Sequence, residues 1–62
     1  MSSICYHIRG RLDDDYSSTY NYKEAKRVAK RICEEKGSAI IEYYNDKLQM
    51  VVDEEYVEHN NN

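Results

Sequence analysis

The sequence predicts an α+β domain in which one amphipathic helix packs on a three-stranded sheet, in the chain order β-α-β-β. One observation behind this is a stripe of apolar residues at helical spacing in the middle of the chain. The other is the alternation of apolar and polar residues in three shorter segments around it. Because each element must bury its apolar side against another element, these patterns together predict a two-layer fold.

The helix is predicted from about Tyr22 to Lys36. Its apolar stripe recurs at intervals of three and four residues, at Ala25, Val28, Ala29, Ile32 and Cys33. Asn21 is the expected N-cap, and Glu24 three residues later completes a capping box. Gly37 follows the last turn, where a left-handed backbone is least costly without a Cβ atom. The sequence therefore predicts both ends of the helix as well as its buried side.

Three segments have the alternation of strands. In the first, Ile4, Tyr6 and Ile8 point to one side of the predicted sheet. After the helix a hairpin is predicted, with strands at residues 38–44 and 47 to about 53 and the tight turn Asn45-Asp46. The second of these strands is expected to extend to residue 57. In that register the apolar residues on the core side of the hairpin are Ala39, Ile41, Tyr43, Leu48, Met50 and Val52. Which of the two later strands pairs with the first stays open.

The other side of the predicted sheet has no second helix to cover it. Among its polar residues it carries Ile40, Tyr44 and Val51. Exposed apolar surface that is contiguous on a small protein indicates an interface. We therefore expect these three residues to form the face of a homodimer.

The length of 62 residues predicts one domain, spanning 1–59, with the asparagine-rich residues 60–62 as a disordered tail. No segment is apolar enough to span a membrane, and residues 1–5 lack the layout of a signal peptide. A cytoplasmic location is therefore expected. With only two cysteines and no export signal, Cys5 and Cys33 are expected to be reduced.

Charge is unevenly distributed along the chain, whose net charge is −3. Residues 23–37 contain six bases and three acids, whereas residues 38–62 contain one base and six acids. A folded domain with this distribution presents opposite potentials on different surfaces, and such potentials influence the choice of partner.

The acids and tyrosines predict a protein-binding surface. Its candidate residues are Asp13, Asp14, Asp15, Tyr44, Asp53, Glu54, Glu55, Tyr56 and Glu58. Carboxylates on a rigid scaffold can imitate nucleic-acid phosphates, and tyrosines supply contact area at low entropic cost. In its small size, its acidity and its lack of a catalytic motif, the chain resembles the small proteins that bacterial viruses make to occupy host proteins. That likeness of class, in which no motif aligns, implies an inhibitor that mimics DNA and covers a basic surface of a host protein.

A nucleic-acid-binding domain is the alternative reading. The outside of the predicted helix carries five bases, Lys23, Lys26, Arg27, Lys30 and Arg31. Such a stripe could follow phosphates and gain affinity from counterion release, with Arg9 and Arg11 adding to it. The overall acidity of the chain makes this reading the less favoured one.

Metal binding and catalysis are the remaining possibilities. Six side chains have the spacing of a calcium loop, namely Asp13, Asp15, Ser17, Thr19, Asn21 and Glu24. Ser18 stands where that loop requires glycine, and a strand precedes it, so a solvated acidic loop that caps the helix is favoured over a calcium site. The possible zinc ligands Cys5, His7, Cys33 and His59 lack paired spacing. No nucleophile has an identifiable base and oxyanion donor, so we expect a non-enzymatic protein with no cofactor and no metal.

Overall fold

A computed structural model describes residues 3–58, which form one helix and a four-stranded antiparallel sheet. The elements in chain order are β1 (Ile4–Gly10), β2 (Ser17–Thr19), α1 (Tyr22–Lys36), β3 (Ser38–Asn45) and β4 (Met50–Glu58). In the sheet the strands are ordered β2-β1-β3-β4, so the first predicted strand pairs with the second one. The predicted α+β class is confirmed, and the predicted three-stranded sheet is wrong. The predicted tail, 60–62, lies outside the described residues.

The additional strand is β2, in a segment that we predicted to be an acidic loop. Its three residues pair with β1, with Thr19 opposite Tyr6 and Ser17 opposite Ile8. Three small polar residues show no apolar alternation, so the sequence carries no strand signal here. Pairing along the edge of β1 supplies the backbone hydrogen bonds that define this strand.

The helix has the predicted bounds and the predicted caps. The Asn21 side chain accepts a hydrogen bond from the Glu24 N–H at 3.1 Å. The return bond of the capping box is replaced, because the Asn21 N–H donates to the Thr19 hydroxyl at 3.1 Å. At the other end Gly37 has a φ of 94° and donates its N–H to the Cys33 carbonyl at 2.8 Å. Among residues 3–58, no helix is long and apolar enough to cross a membrane.

The predicted hairpin turn is wrong. In place of a two-residue turn, residues 46–49 form the connection, and Asn45 pairs with Met50. The Asn45 side chain accepts from the Leu48 N–H at 2.9 Å, and its carbonyl accepts from the Gln49 N–H at 2.7 Å. Gln49 has a φ of 56°, in the left-handed region. Asn45 therefore stabilises a longer loop, because its side chain and its main-chain carbonyl both accept hydrogen bonds from N–H groups of that loop.

The longer loop changes the register of the hairpin. Ala39 faces Val57 and Ile41 faces Glu55, where we predicted Val52 and Met50. The pairing also shifts by one residue after Tyr43, which leaves Val52 as the extra residue of a β-bulge.

The core lies between α1 and one face of the sheet, which we call the helix face; the opposite face is the open face. The buried core cluster consists of Ile8, Ala25, Ala29, Cys33, Ala39 and Ile41, and the residues packed against it are Tyr6, Val28, Ile32, Tyr43 and Val57. The predicted core residues of α1 and β1 are thus confirmed in the main. The prediction for β4 is wrong, since Leu48, Met50 and Val52 are exposed.

Candidate functional site

Strand β4 forms a free edge of the sheet. It pairs with β3 on one side, and within residues 3–58 no strand pairs with it on the other. Most of its residues are exposed, and Tyr56 is 63% exposed. We use the term acidic edge for its four exposed candidate residues, Asp53, Glu54, Tyr56 and Glu58. Local alternation places Glu54, Tyr56 and Glu58 on the open face.

Glu55 is the acid of β4 that turns inward, because its partner in the ladder is the core residue Ile41. Its carboxylate accepts hydrogen bonds from the Tyr22 hydroxyl at 2.7 Å and from the Tyr43 hydroxyl at 2.9 Å. It also accepts one from the Lys26 ammonium group at 2.8 Å. The Lys26 hydrogen bond is the main cause that lowers the pKa of Glu55, against the opposing effect of desolvation. Glu55 therefore ties β4 to α1, and its carboxylate is already engaged.

Two of the three tyrosines in a cluster, Tyr22 and Tyr43, donate to that carboxylate, and the third, Tyr6, packs on both. The Tyr6 ring packs edge-on against Tyr43 at 5.1 Å and against Tyr22 at 5.5 Å between ring centroids. Burial and the hydrogen bond to Glu55 raise the pKa of the Tyr43 phenol, and the hydrogen bond to Glu55 raises that of Tyr22. Our sequence reasoning missed this cluster. The available signal was that tyrosines on a core face need a hydrogen-bond partner for their hydroxyl groups.

The hairpin end next to the acidic edge is apolar and exposed. Its side chains are Leu48, Met50, Val51 and Val52, with Leu48 at 62% and Met50 at 54% exposure. Within the described chain, the core cluster and the residues packed against it include none of them. Exposed apolar side chains gathered in one short segment make this end of the hairpin a candidate contact region. We refer to these four residues as the hairpin tip.

The acidic loop between β1 and β2 is held to the rest of the domain. The Asp13 carboxylate forms a salt bridge with the ammonium group of Lys36, at the end of α1. This bond raises the pKa of Lys36. Asp14 and Asp15 are exposed. The loop joins β1 to β2 at one edge of the sheet, whereas β4 is the strand at the opposite edge.

Arg9 fixes the same loop from the open face. Its Nη1 group donates to the carbonyl oxygens of Gly10, Arg11 and Asp13 at 3.2, 3.0 and 3.4 Å. Its Nη2 atom lies 3.6 Å from the Glu42 carboxylate. These contacts make Arg9 a structural residue. The nucleic-acid-binding hypothesis included Arg9, but its guanidinium group is already bound to the loop carbonyls and lies beside Glu42.

The open face carries a stack of three rings that runs across the strands. The His7 ring lies between Tyr16 and Tyr44, with centroid distances of 4.3 and 5.0 Å and interplanar angles of 20° and 18°. Tyr44, a predicted partner-binding residue, is half-buried in this stack. Beside it the Tyr20 hydroxyl donates to the Asp46 carboxylate at 2.7 Å.

The proposed dimer face consists of residues in different environments. Ile40 is buried within the single chain, with 4% of its surface exposed. Tyr44 belongs to the ring stack, and Val51 directly opposite it is exposed. Ile40 therefore has little surface left for a second copy, and only Val51 and part of Tyr44 remain accessible.

All five bases of the predicted nucleic-acid-binding stripe are exposed on α1. Two of them have acidic neighbours, Lys26 with Glu55 and Arg27 with Glu24 at 3.5 Å. In the part of the chain that the structure describes, no salt bridge involves the other three, Lys23, Lys30 and Arg31.

The candidate metal ligands are dispersed. Cys33 packs in the core and its thiol donates to the Val57 carbonyl at 3.0 Å, while Cys5 and His7 occupy the open face. His59 lies outside the described residues. The calcium-loop spacing is interrupted by β2, and within residues 3–58 no group of three or more histidine, cysteine or acidic side chains could hold a metal ion. Burial raises the pKa of the Cys5 and Cys33 thiols.

Comparisons with protein-family models, with curated proteins and with solved structures found no match. Residues 3–58 form a small α+β domain with one helix on one face of an antiparallel sheet and an acidic strand at its free edge.

Proposed function

We propose that this chain is a non-enzymatic protein-binding module that docks its acidic edge on a basic surface of a partner protein. The observation that carries the proposal is the position of Asp53, Glu54 and Glu58 on an exposed edge strand. Among these acids the hydrogen bonds are local ones, from the Glu54 N–H to Asp53 and from the Tyr56 hydroxyl to Glu54. Within residues 3–58 no salt bridge involves these three acids, so their charges are left for a partner.

The neighbouring side chains suit a contact surface. Tyr56 offers a large ring with few rotatable bonds, and the hairpin tip adds apolar area. A partner with basic residues would be attracted at long range and then anchored by apolar contact. A row of carboxylates along a rigid strand imitates nucleic-acid phosphates, so a nucleic-acid-binding protein is the partner class that we favour. Occupying that surface would make the chain an inhibitor of the phage type.

Matched charge reversals on the immobilised chain test this function in a lysate of a candidate host. One variant carries Glu54→Lys and Glu58→Lys on the acidic edge, and the control carries Glu34→Lys and Glu35→Lys at exposed positions of α1. We expect a protein that is retained by the unmodified chain and by the control, released by salt, and lost with the edge variant. Equal retention by both variants would overturn the proposal.

The second candidate function is nucleic-acid binding by α1. The exposure of Lys23, Lys30 and Arg31, away from the salt bridges of their helix neighbours, favours it. A variant with these three residues changed to glutamate should then lose its retention on immobilised DNA or RNA at low salt. No retention of the unmodified chain under the same conditions would exclude this function.

A further inference from the structure

The direction of the backbone on β4 shows which of its amides face the free edge. The Glu54 N–H donates to the side chain of Asp53 at 2.8 Å, so it is turned away from β3. On an antiparallel strand, backbone groups alternate between the two sides with every residue. The N–H and carbonyl groups of Tyr56 and Glu58 therefore face outward with those of Glu54, on the side of β4 where no strand of residues 3–58 pairs with it.

We propose that the outer edge of β4, residues 53–58, takes up an extended lysine- or arginine-bearing segment of the partner as a fifth strand. This inference rests on the proposed function and specifies how the partner docks. Main-chain hydrogen bonds would supply affinity, and alternate side chains would supply specificity. The Asp53 carboxylate, which now accepts from the Glu54 N–H, would give way to a carbonyl oxygen of the incoming segment.

The alternation of charge on β4 defines the segment that fits. Glu54 and Glu58 project on the open face, where cations at every second position of a paired strand would lie beside them. On the helix face the Glu55 carboxylate is engaged by Lys26, so a further cation there would meet a neutralised acid. A segment that alternates basic and apolar residues, with its bases on the open face, is therefore the best match.

A second copy of this chain fits the same edge poorly. In an antiparallel pair of β4 strands centred on Glu54, that residue would face itself and Asp53 would face Glu55. Like charges directly opposite each other destabilise a strand pair. The acids and the bulge at Val52 thus protect the edge against pairing with itself, as edge strands commonly require, and leave it open to a strand of opposite charge.

Two synthetic peptides test the proposal on the full chain. One, the lysine-valine peptide, alternates lysine and valine over nine residues, the length of β4, and the other has the same sequence with a methyl group on the backbone nitrogen of each lysine. The two carry the same charge, but with the lysines on the open face their N–H groups are the ones that face β4, and a methylated nitrogen cannot donate to the ladder. We expect the lysine-valine peptide to bind at least about tenfold more tightly. It should also slow hydrogen exchange at the amides of Glu54, Tyr56 and Glu58.

Variants at Tyr56 separate the contribution of its outward N–H to peptide binding from the contribution of its side chain. Tyr56→Ala and Tyr56→Pro both remove the ring, and only the second removes the N–H; proline is tolerated on edge strands. We expect Tyr56→Pro to bind the lysine-valine peptide about tenfold more weakly than Tyr56→Ala does. The hydrogen-exchange result on the unmodified chain decides the question if Tyr56→Pro does not fold.

The outcomes distinguish this proposal from the proposed function. If both peptides bind alike and both are weakened by Glu54→Lys with Glu58→Lys, the charge-based function stands and strand addition is wrong. If neither peptide binds, strand addition is also wrong, and the retention experiment with matched charge reversals decides the function separately.

Discussion

The hydroxyl of Tyr43 on β3 donates a hydrogen bond of 2.9 Å to the Oε1 atom of Glu55 on β4. The two residues are not directly opposite each other, because Tyr43 faces Asp53 and Glu55 faces Ile41. The bond thus runs diagonally across the ladder on the helix face. A slip of β4 along β3 would break it, so this pair helps to fix the register of the hairpin.

Replacing Glu55 should destabilise the domain although the residue is acidic and partly exposed. In Glu55→Gln the charge-assisted bond from Lys26 is lost and the phenols of Tyr22 and Tyr43 keep a weaker acceptor. We expect a loss of about 1–3 kcal/mol in the free energy of unfolding, measured by urea denaturation. The neighbouring Glu54→Gln is the control and should change the stability by less than about 0.5 kcal/mol. Equal effects at both positions would contradict the inward role of Glu55.

The contribution of Glu55 should depend on pH in one direction. Its pKa in the folded chain is lowered from 4.5, chiefly by the Lys26 hydrogen bond. A lowered folded pKa gives stability that is fully present above the unfolded value and is lost as the pH falls through the folded value. The difference in unfolding free energy between the unmodified chain and Glu55→Gln should therefore be constant near neutral pH and shrink below 4.5. A difference that grows on acidification would refute this assignment.

Tyr20 should ionise later than an ordinary tyrosine. Its hydrogen bond to Asp46, with the charge of that carboxylate, raises the pKa of Tyr20 from 10.0 to about 12. This contact therefore stabilises the folded chain below pH 10.0, and the effect is lost as the pH rises through about 12. Titration of the ring signals by NMR should show Tyr20 still protonated above 10.0, and Asp46→Asn should return its midpoint toward that value. An unchanged midpoint in Asp46→Asn would show that the bond does not form in solution.

Arg9→Lys should loosen the β1–β2 loop. The variant keeps a cation near Glu42 but cannot reproduce the contacts of one guanidinium group with three carbonyl oxygens. We expect a loss of about 1 kcal/mol and faster hydrogen exchange at the Asp13 amide, which donates to the Gly10 carbonyl. Arg11→Lys, at an exposed position, is the matched control and should leave that exchange rate unchanged.

His7→Ala should remove the middle ring of the stack on the open face. Two ring contacts are lost together, so we expect a decrease of about 1–3 kcal/mol in stability on thermal denaturation. His7→Phe retains a planar ring and should recover most of the loss. If His7→Phe is as unstable as His7→Ala, the stack does not contribute through ring packing.

Much of the candidate site could not be predicted, because the positions of acids in the sequence do not show which carboxylates form salt bridges within the fold. The sequence placed Asp13 and Glu55 in one set with Asp53, Glu54 and Glu58. In the fold Asp13 pairs with Lys36, and Glu55 pairs with Lys26, across 23 and 29 residues of chain. Contacts over such separations leave no local pattern.

The sequence by itself determined α1 and the core side of β1. An N-cap at Asn21, a glycine at position 37 and an apolar stripe between them are local signals, and each acts within a turn or two of the helix. Ile8 likewise follows from alternation with a period of two.

Only the tertiary structure decided the partners and the register of β4. Alternation alone allowed either the set with Leu48, Met50 and Val52 or the set with Val57 to face the core, and the more apolar set was the natural prediction. The fold uses Val57, because the Asn45 loop displaces the pairing and Glu55 is held by α1. That choice leaves the hairpin tip and the acidic edge at the surface, since register depends on contacts between segments that lie far apart in the chain.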